Sequence, residues 1–225
     1  MPRRLLCLLE NEKTGHAGRA VLEWAAFLAT HCGFDVCVFL WEDASSIEVP
    51  ESLKNAQGFC LEDFPPLLQM STLDLVNVAG EIRKRFPADL VLVPASISAS
   101  PLHLLGAALS GEDSGRFWFG VFECILLPES RFACRRTLNG RTLEAVAAYP
   151  LTLAVAHHLG IEPCAARTRL SLQKLPLSGF NLDADMLQMR SAVFPEPVSI
   201  LHSTEVRTVQ LDEALASLVP KDAEV

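Results

Sequence analysis

Three arginines, Arg135, Arg136 and Arg141, crowd around Asn139-Gly140 in the stretch CRRTLNGRTLEAV. Guanidinium forks clustered on a turn are the residue type that clamps a phosphate or a carboxylate. Asn-Gly between β-rich runs is also the strongest short signal for a two-residue hairpin, because both central positions of a type I′ turn take positive φ. Pairing outward from the turn sets Leu138 opposite Arg141, Thr137 opposite Thr142, Arg136 opposite Leu143 and Arg135 opposite Glu144. That register gives Arg135 a cross-strand acid. It puts Arg136 and Arg141 on the other face, so the three cannot close on one anion. Arg136 and Arg141 therefore read as solvated or partner-facing, with a phosphate site as the alternative.

A second group follows the apolar run ADLVLVP, where Ser96, Ser98 and Ser100 occupy a loop of small residues. Ligands bind beyond the carboxyl ends of strands in open α/β sheets. Hydroxyls and amides there, with Glu10 and Asn11 after the first apolar run, are weak candidates for an adenine-nucleotide site. The competing reading is a polar connection in which Ser100 caps a helix starting at Pro101. His157-His158 ends another apolar run; neighbouring strand residues face opposite ways and cannot share a metal. The seven cysteines show no C-x-x-C or other zinc spacing, and Cys7, Cys37 and Cys124 lie inside apolar runs, as packed thiols do. No metal site is expected. No G-x-S-x-G elbow or acid–base pair stands out either, so the chain reads as non-catalytic.

The elements that position these residues alternate. RLLCLLE reads as a strand covered on both faces. GRAVLEWAAFLATHCG sets Val21, Trp24, Ala25, Leu28 and Cys32 at helical spacing with Gly33 as stop, and FDVCVFLW is the next buried strand. STLDLVNVAGEIRKRF repeats the helical pattern through Leu73, Val76 and Val78 to Ile82, capped by Ser71 or Thr72, and ADLVLVP follows. Such alternation specifies an α/β fold: a three-layer sandwich with a mainly parallel central sheet. Residues 44–66 read as irregular apart from a short strand at FCLE. FWFGVFECILL, RFACRRTL, RTLEAVAA and LTLAVAHH leave no room for helices between them and read as added antiparallel strands. Trp24, Trp41 and Trp118 read as core. Prolines and glycine between 176 and 197 mark a boundary, giving a domain at 1–176 and an extension at 177–225.

The net charge is −8 with scattered basic residues, which excludes a row of phosphate contacts and hence nucleic acid. No apolar run reaches the ~18 residues of a membrane helix. MPRRLLCLL breaks off at Glu10 without a cleavage site, so the expected location is cytoplasmic.

ADLVLVPASISASPLHLLGAAL, followed about 25 residues later by RRTLNGRTLEAV, resembles the N-terminal domain of the alpha subunit of electron-transfer flavoproteins. Arg135, Gly140 and Val146 match that family's hairpin pattern without a gap. LLENEKTGHAGRAVLEWA is similar to its first strand and helix, with Glu10 on the family's glutamate. The resemblance spans roughly residues 3–175. Ala99-Ser100 stands where the family has Gly-Lys, and Arg141 where it has Asn. The resemblance implies a sandwich of the adenine nucleotide alpha-hydrolase-like kind and a non-catalytic scaffold packed on a beta-like subunit, serving a dehydrogenase or a quinone-linked oxidoreductase. The family's Ser-Gly-Gly-Arg-Gly flavin signature is not found, and the last 50 residues hold no glycine-rich phosphate loop. The chain is thus expected to bind no cofactor alone, with FAD or AMP supplied only through a partner. A stand-alone adenine-nucleotide-binding module is the second expectation.

Overall fold

The computed structural model describes residues 3–11, 15–95, 101–109, 117–127, 131–138, 141–156 and 164–180. The chain divides into two compact units, Met1–Val193 and Phe194–Val225, and every described residue belongs to the first.

Its frame is an α/β sheet of nine strands, mainly parallel. Strand β1 (Arg4–Leu9) pairs in parallel with β2 (Asp35–Leu40) on one side and with β5 (Leu90–Pro94) on the other. Beyond β2 come β4 (Gln57–Glu62) and the edge strand β11 (Gln173–Pro176), both parallel. Beyond β5 come β9 (Leu151–Val155) and β6 (Phe117–Leu127), also parallel. β7 (Arg131–Leu138) and β8 (Arg141–Ala148) then add antiparallel to β6. Contrary to expectation, LTLAV is thus inserted as a parallel strand, and within this sheet, among the described residues, only β6–β7 and β7–β8 pair antiparallel.

β1 shows why a continuous apolar run suits the centre of such a sheet. Leu5, Cys7 and Leu9 join one core cluster while Leu6 and Leu8 join the other. The first cluster is sealed by α1 (His16–Cys32), which Gly33 ends in the left-handed conformation at φ 67°. The second is sealed by α2 (Thr72–Arg85) and by α3 (Pro101–Leu109), which supplies Leu105 and Leu109. Ser71 caps α2 in a capping box with Asp74. The buried stripe of α2 is Leu75, Val78, Ala79 and Ile82, spaced i, i+3, i+4, i+7. Leu73 and Val76, expected on that face, point outward instead.

Residues 44–66 are more ordered than expected. β3 (Ser46–Pro50) pairs antiparallel with β10 (Arg167–Ser171), from 115 or more residues downstream. Ile47, Val49, Leu53, Leu170 and Leu172 join the cluster built on α1, which explains why α1 is buried well beyond one stripe. The packed chain continues past 176, because Leu177 and Phe180 are buried in the second cluster, Phe180 edge-on to Phe64.

The hairpin register is the expected one: Leu138↔Arg141, Thr137↔Thr142, Arg136↔Leu143 and Arg135↔Glu144. The turn residues Asn139 and Gly140 lie outside the described residues, as do His157 and His158.

Candidate functional site

Two places merit comparison: the carboxyl ends of the central strands and the antiparallel extension. β1 and β5 are neighbours whose onward connections leave in opposite directions, α1 towards β2 and α3 towards the β6 side. This is a switch point of an open α/β sheet, where a crevice forms outside the strand ends. Glu10 and Asn11 follow β1 and are exposed. The Glu10 carbonyl accepts from Glu42 N–H at 3.1 Å, so its backbone is held by the extension of β2. On the β5 side, Ala95 N–H donates to Val155 O at 2.8 Å. Gly15 caps α1 without a side-chain hydrogen bond, and the first turn of α1 has no acidic residue. The topology therefore puts Glu10 and Asn11 on the strand beside the one that leads into the serine loop. Ser96, Ser98 and Ser100 themselves lie outside the described residues.

In the antiparallel extension each face carries a distinct set of side chains. One face has the row Glu123–Arg135–Glu144 across β6, β7 and β8. Arg135 donates to Glu144 at 2.8 Å and to Glu123 at 3.0 Å. Hydrogen bonds to both acids, Glu144 first, raise its already high pKa. The adjoining row on that face is Ile125–Ala133–Val146, with Ile125 50% and Val146 53% exposed. The other face carries Phe132 and Cys134, both fully buried, and then Arg136 and Arg141. Arg136 is partly buried with its guanidinium 5.3 Å from the centre of the Trp118 ring, and its Nε finds no acceptor among the described residues. Arg141 is exposed. The arginines do not converge: Arg135 is neutralised on one face, Arg136 stacks on the other, and Arg141 reaches solvent.

At the opposite, amino end of the sheet lies a cavity of about 240 Å³, bordered by Arg4, Asp35, Gln57, Cys37, Arg85 and Phe86. Sequence reading gave no sign of it, because it is assembled from three strand starts and the end of α2. Two of its polar groups are engaged: the Arg4 backbone N–H donates to Asp89 at 2.9 Å, and the Arg85 guanidinium lies 4.5 Å over the Phe180 ring. Burial, then nearby Asp35, pushes the Cys37 thiol up to about 12, which favours the protonated, slowly reacting form. Trp24 and Trp41 are core, and the Trp41 indole N–H donates to Pro65 O at 3.0 Å.

Among the described residues no group of three or more His, Cys, Asp or Glu side chains is arranged to hold a metal. No described helix is long and apolar enough to cross a membrane. No protein-family model and no curated protein matches the chain.

Proposed function

We propose that the chain is an electron-transfer-flavoprotein-alpha-like subunit, a non-catalytic scaffold that packs its antiparallel extension on a beta-like flavoprotein partner in the cytoplasm. The observation that carries this reading is the Ile125–Ala133–Val146 row. Single exposed apolar residues are ordinary, but here two half-exposed β-branched side chains flank an alanine across three strands, beside a charged row on the same face. The motif resemblance runs through this same hairpin. Helices that seal both faces of the sheet, α1 on one and α2 with α3 on the other, support the three-layered, nucleotide-hydrolase-like architecture such a scaffold would have. In this reading FAD or AMP arrives with the partner, and a dehydrogenase or quinone-linked oxidoreductase exchanges electrons with the assembled complex. Purification of the tagged chain from its native cells tests it, with Ile125→Asp/Val146→Asp as control. A flavin-bearing companion should co-elute with the natural chain and be lost from the folded variant.

The switch point between β1 and β5 favours one alternative, an adenine-nucleotide-binding module using Glu10, Asn11 and the loop of Ser96, Ser98 and Ser100. Calorimetry with AMP, ATP and FAD separates the two. Micromolar binding by the isolated chain would promote the alternative.

A further inference from the structure

Cys124 on β6 and Cys134 on β7 are directly opposed partners in the antiparallel pairing, and their sulfurs lie 3.3 Å apart. Both are free thiols. Opposed residues of an antiparallel pair have Cα atoms roughly 4.5–5.5 Å apart, inside the span of about 4.4–6.8 Å that a disulfide bridges. Side-chain rotation therefore suffices to join them. Cys7 and Cys37 make the contrast: they sit on the adjacent strands β1 and β2, but the partner of Cys37 is Leu6, and Cys7 points to the opposite face. No rotamer change can bring those two together.

The pair is also asymmetric in access. Cys134 is fully buried, while Cys124 is partly exposed. Cys124 can meet a small reagent; Cys134 can meet only Cys124. The hydrogen bond to Cys134, then burial, raises the Cys124 thiol well above its ordinary range, so its reaction with any oxidant, a small disulfide included, is slow, and the cross-strand geometry decides where equilibration ends.

We propose that Cys124 and Cys134 form a redox modification site, closing to an intrachain disulfide by exchange with a low-molecular-weight disulfide such as oxidised glutathione. Cys124 gives up its proton and attacks one sulfur of the small disulfide, expelling a thiolate and leaving a mixed disulfide. Cys134, deprotonated in turn, attacks the Cys124 sulfur and expels the second thiolate. Two protein thiols are oxidised, the small disulfide is reduced to two thiols, and the two cysteine protons end on those products. The bond fixes β6 to β7 between the residues that carry the Glu123–Arg135 and Ile125–Ala133 pairs on the opposite face. It would lock the register of the extension.

The test equilibrates the folded chain in glutathione buffers of rising oxidised fraction, quenches with acid, alkylates the remaining thiols in denaturant and digests with trypsin. Cleavage after Arg116, Arg131 and Arg135 puts Cys124 in residues 117–131 and Cys134 in residues 132–135. The expected result is a cross-linked pair of these two peptides that accumulates with oxidised glutathione and vanishes on addition of dithiothreitol. Cys124→Ser should abolish the cross-link and leave Cys134 unmodified. Two free thiols at the most oxidising ratio, or a glutathione adduct on Cys124 beside a free Cys134, would overturn the proposal. The natural chain alone decides this, so a poorly folding variant does not obscure the answer.

Discussion

Glu23 is a charged residue in the middle of α1, buried to 8% exposure. It accepts a hydrogen bond from the Cys164 backbone N–H at 2.9 Å and pairs with the Arg167 guanidinium. These contacts tie the segment carrying β10 to a helix more than 140 residues earlier in the chain. Glu23→Gln keeps the volume and an acceptor for Cys164 but leaves Arg167 facing a neutral amide. Breaking a buried ion pair from one side costs about 3–5 kcal/mol. The Arg167 side chain is 27% exposed and can partly rehydrate, which lowers the expected loss to about 2–3 kcal/mol. In a unit the size of Met1–Val193, this corresponds to a fall in Tm of roughly 5–10 °C. Calorimetry or circular dichroism gives the Tm, and maleimide labelling of Cys164 should accelerate as the segment loosens. An unchanged Tm with unchanged labelling would refute the claim that this pair anchors β10 to α1.

Four other outcomes follow from named contacts. Tyr149 is the only tyrosine, and burial pushes it up to about 12 from its ordinary value near 10, with Arg3 acting to lower it. The folded state therefore keeps a proton that the unfolded chain releases, so this contribution to stability is complete below pH 10 and lost between pH 10 and 12; absorbance at 295 nm reports the titration, and a midpoint at 10 would refute the burial argument. Gly58→Ala should destabilise by about 1–3 kcal/mol, because its Cβ would lie 2.7 Å from the Ser171 carbonyl oxygen, which is backbone and cannot swing away; thermal melts check it. Arg136→Ala should cost about 1 kcal/mol and alter Trp118 emission, since the guanidinium stacks on that ring, whereas Arg141→Ala should stay within about ±0.5 kcal/mol. Phe180→Ala should cost about 3–5 kcal/mol because the ring is fully buried, and a neutral result would detach residues beyond 176 from the core.

What the sequence revealed depended on the range of the interaction. Val21, Trp24, Leu28 and Gly33 mark α1 through spacing and a stop residue within one helix, and the Asn139-Gly140 register is set by pairing from adjacent strands. Both are local, and both agree with the structure. β3 was obscured because SIEVP is five residues long and meets its partner RTRLS only in three dimensions. β9 resembles its antiparallel neighbours in composition, and only its place between β5 and β6 makes it parallel. Leu73 and Val76 misled the reading of α2 because a helix with apolar residues on several sides does not announce which stripe is covered. The candidate site was legible to the same degree. Opposite faces for Arg135 and for Arg136 with Arg141 followed from alternation along the strand, whereas the stacking of Arg136 on Trp118, the second partner of Arg135 at Glu123 and the Cys124–Cys134 contact required the pairing of β6 with β7. The amino-end cavity joins four separate segments and leaves no trace in any one of them.

The most direct measurement of the scaffold reading is isolation of the intact chain from its native cells under mild conditions, followed by the visible spectrum and composition of what elutes with it. The account predicts a stoichiometric companion that carries the visible absorbance of an oxidised flavin. It also predicts that Ile125→Asp/Val146→Asp, melting as the natural chain does, loses that companion. A monodisperse, colourless chain recovered alone would contradict it, as would a companion retained undiminished by the double variant.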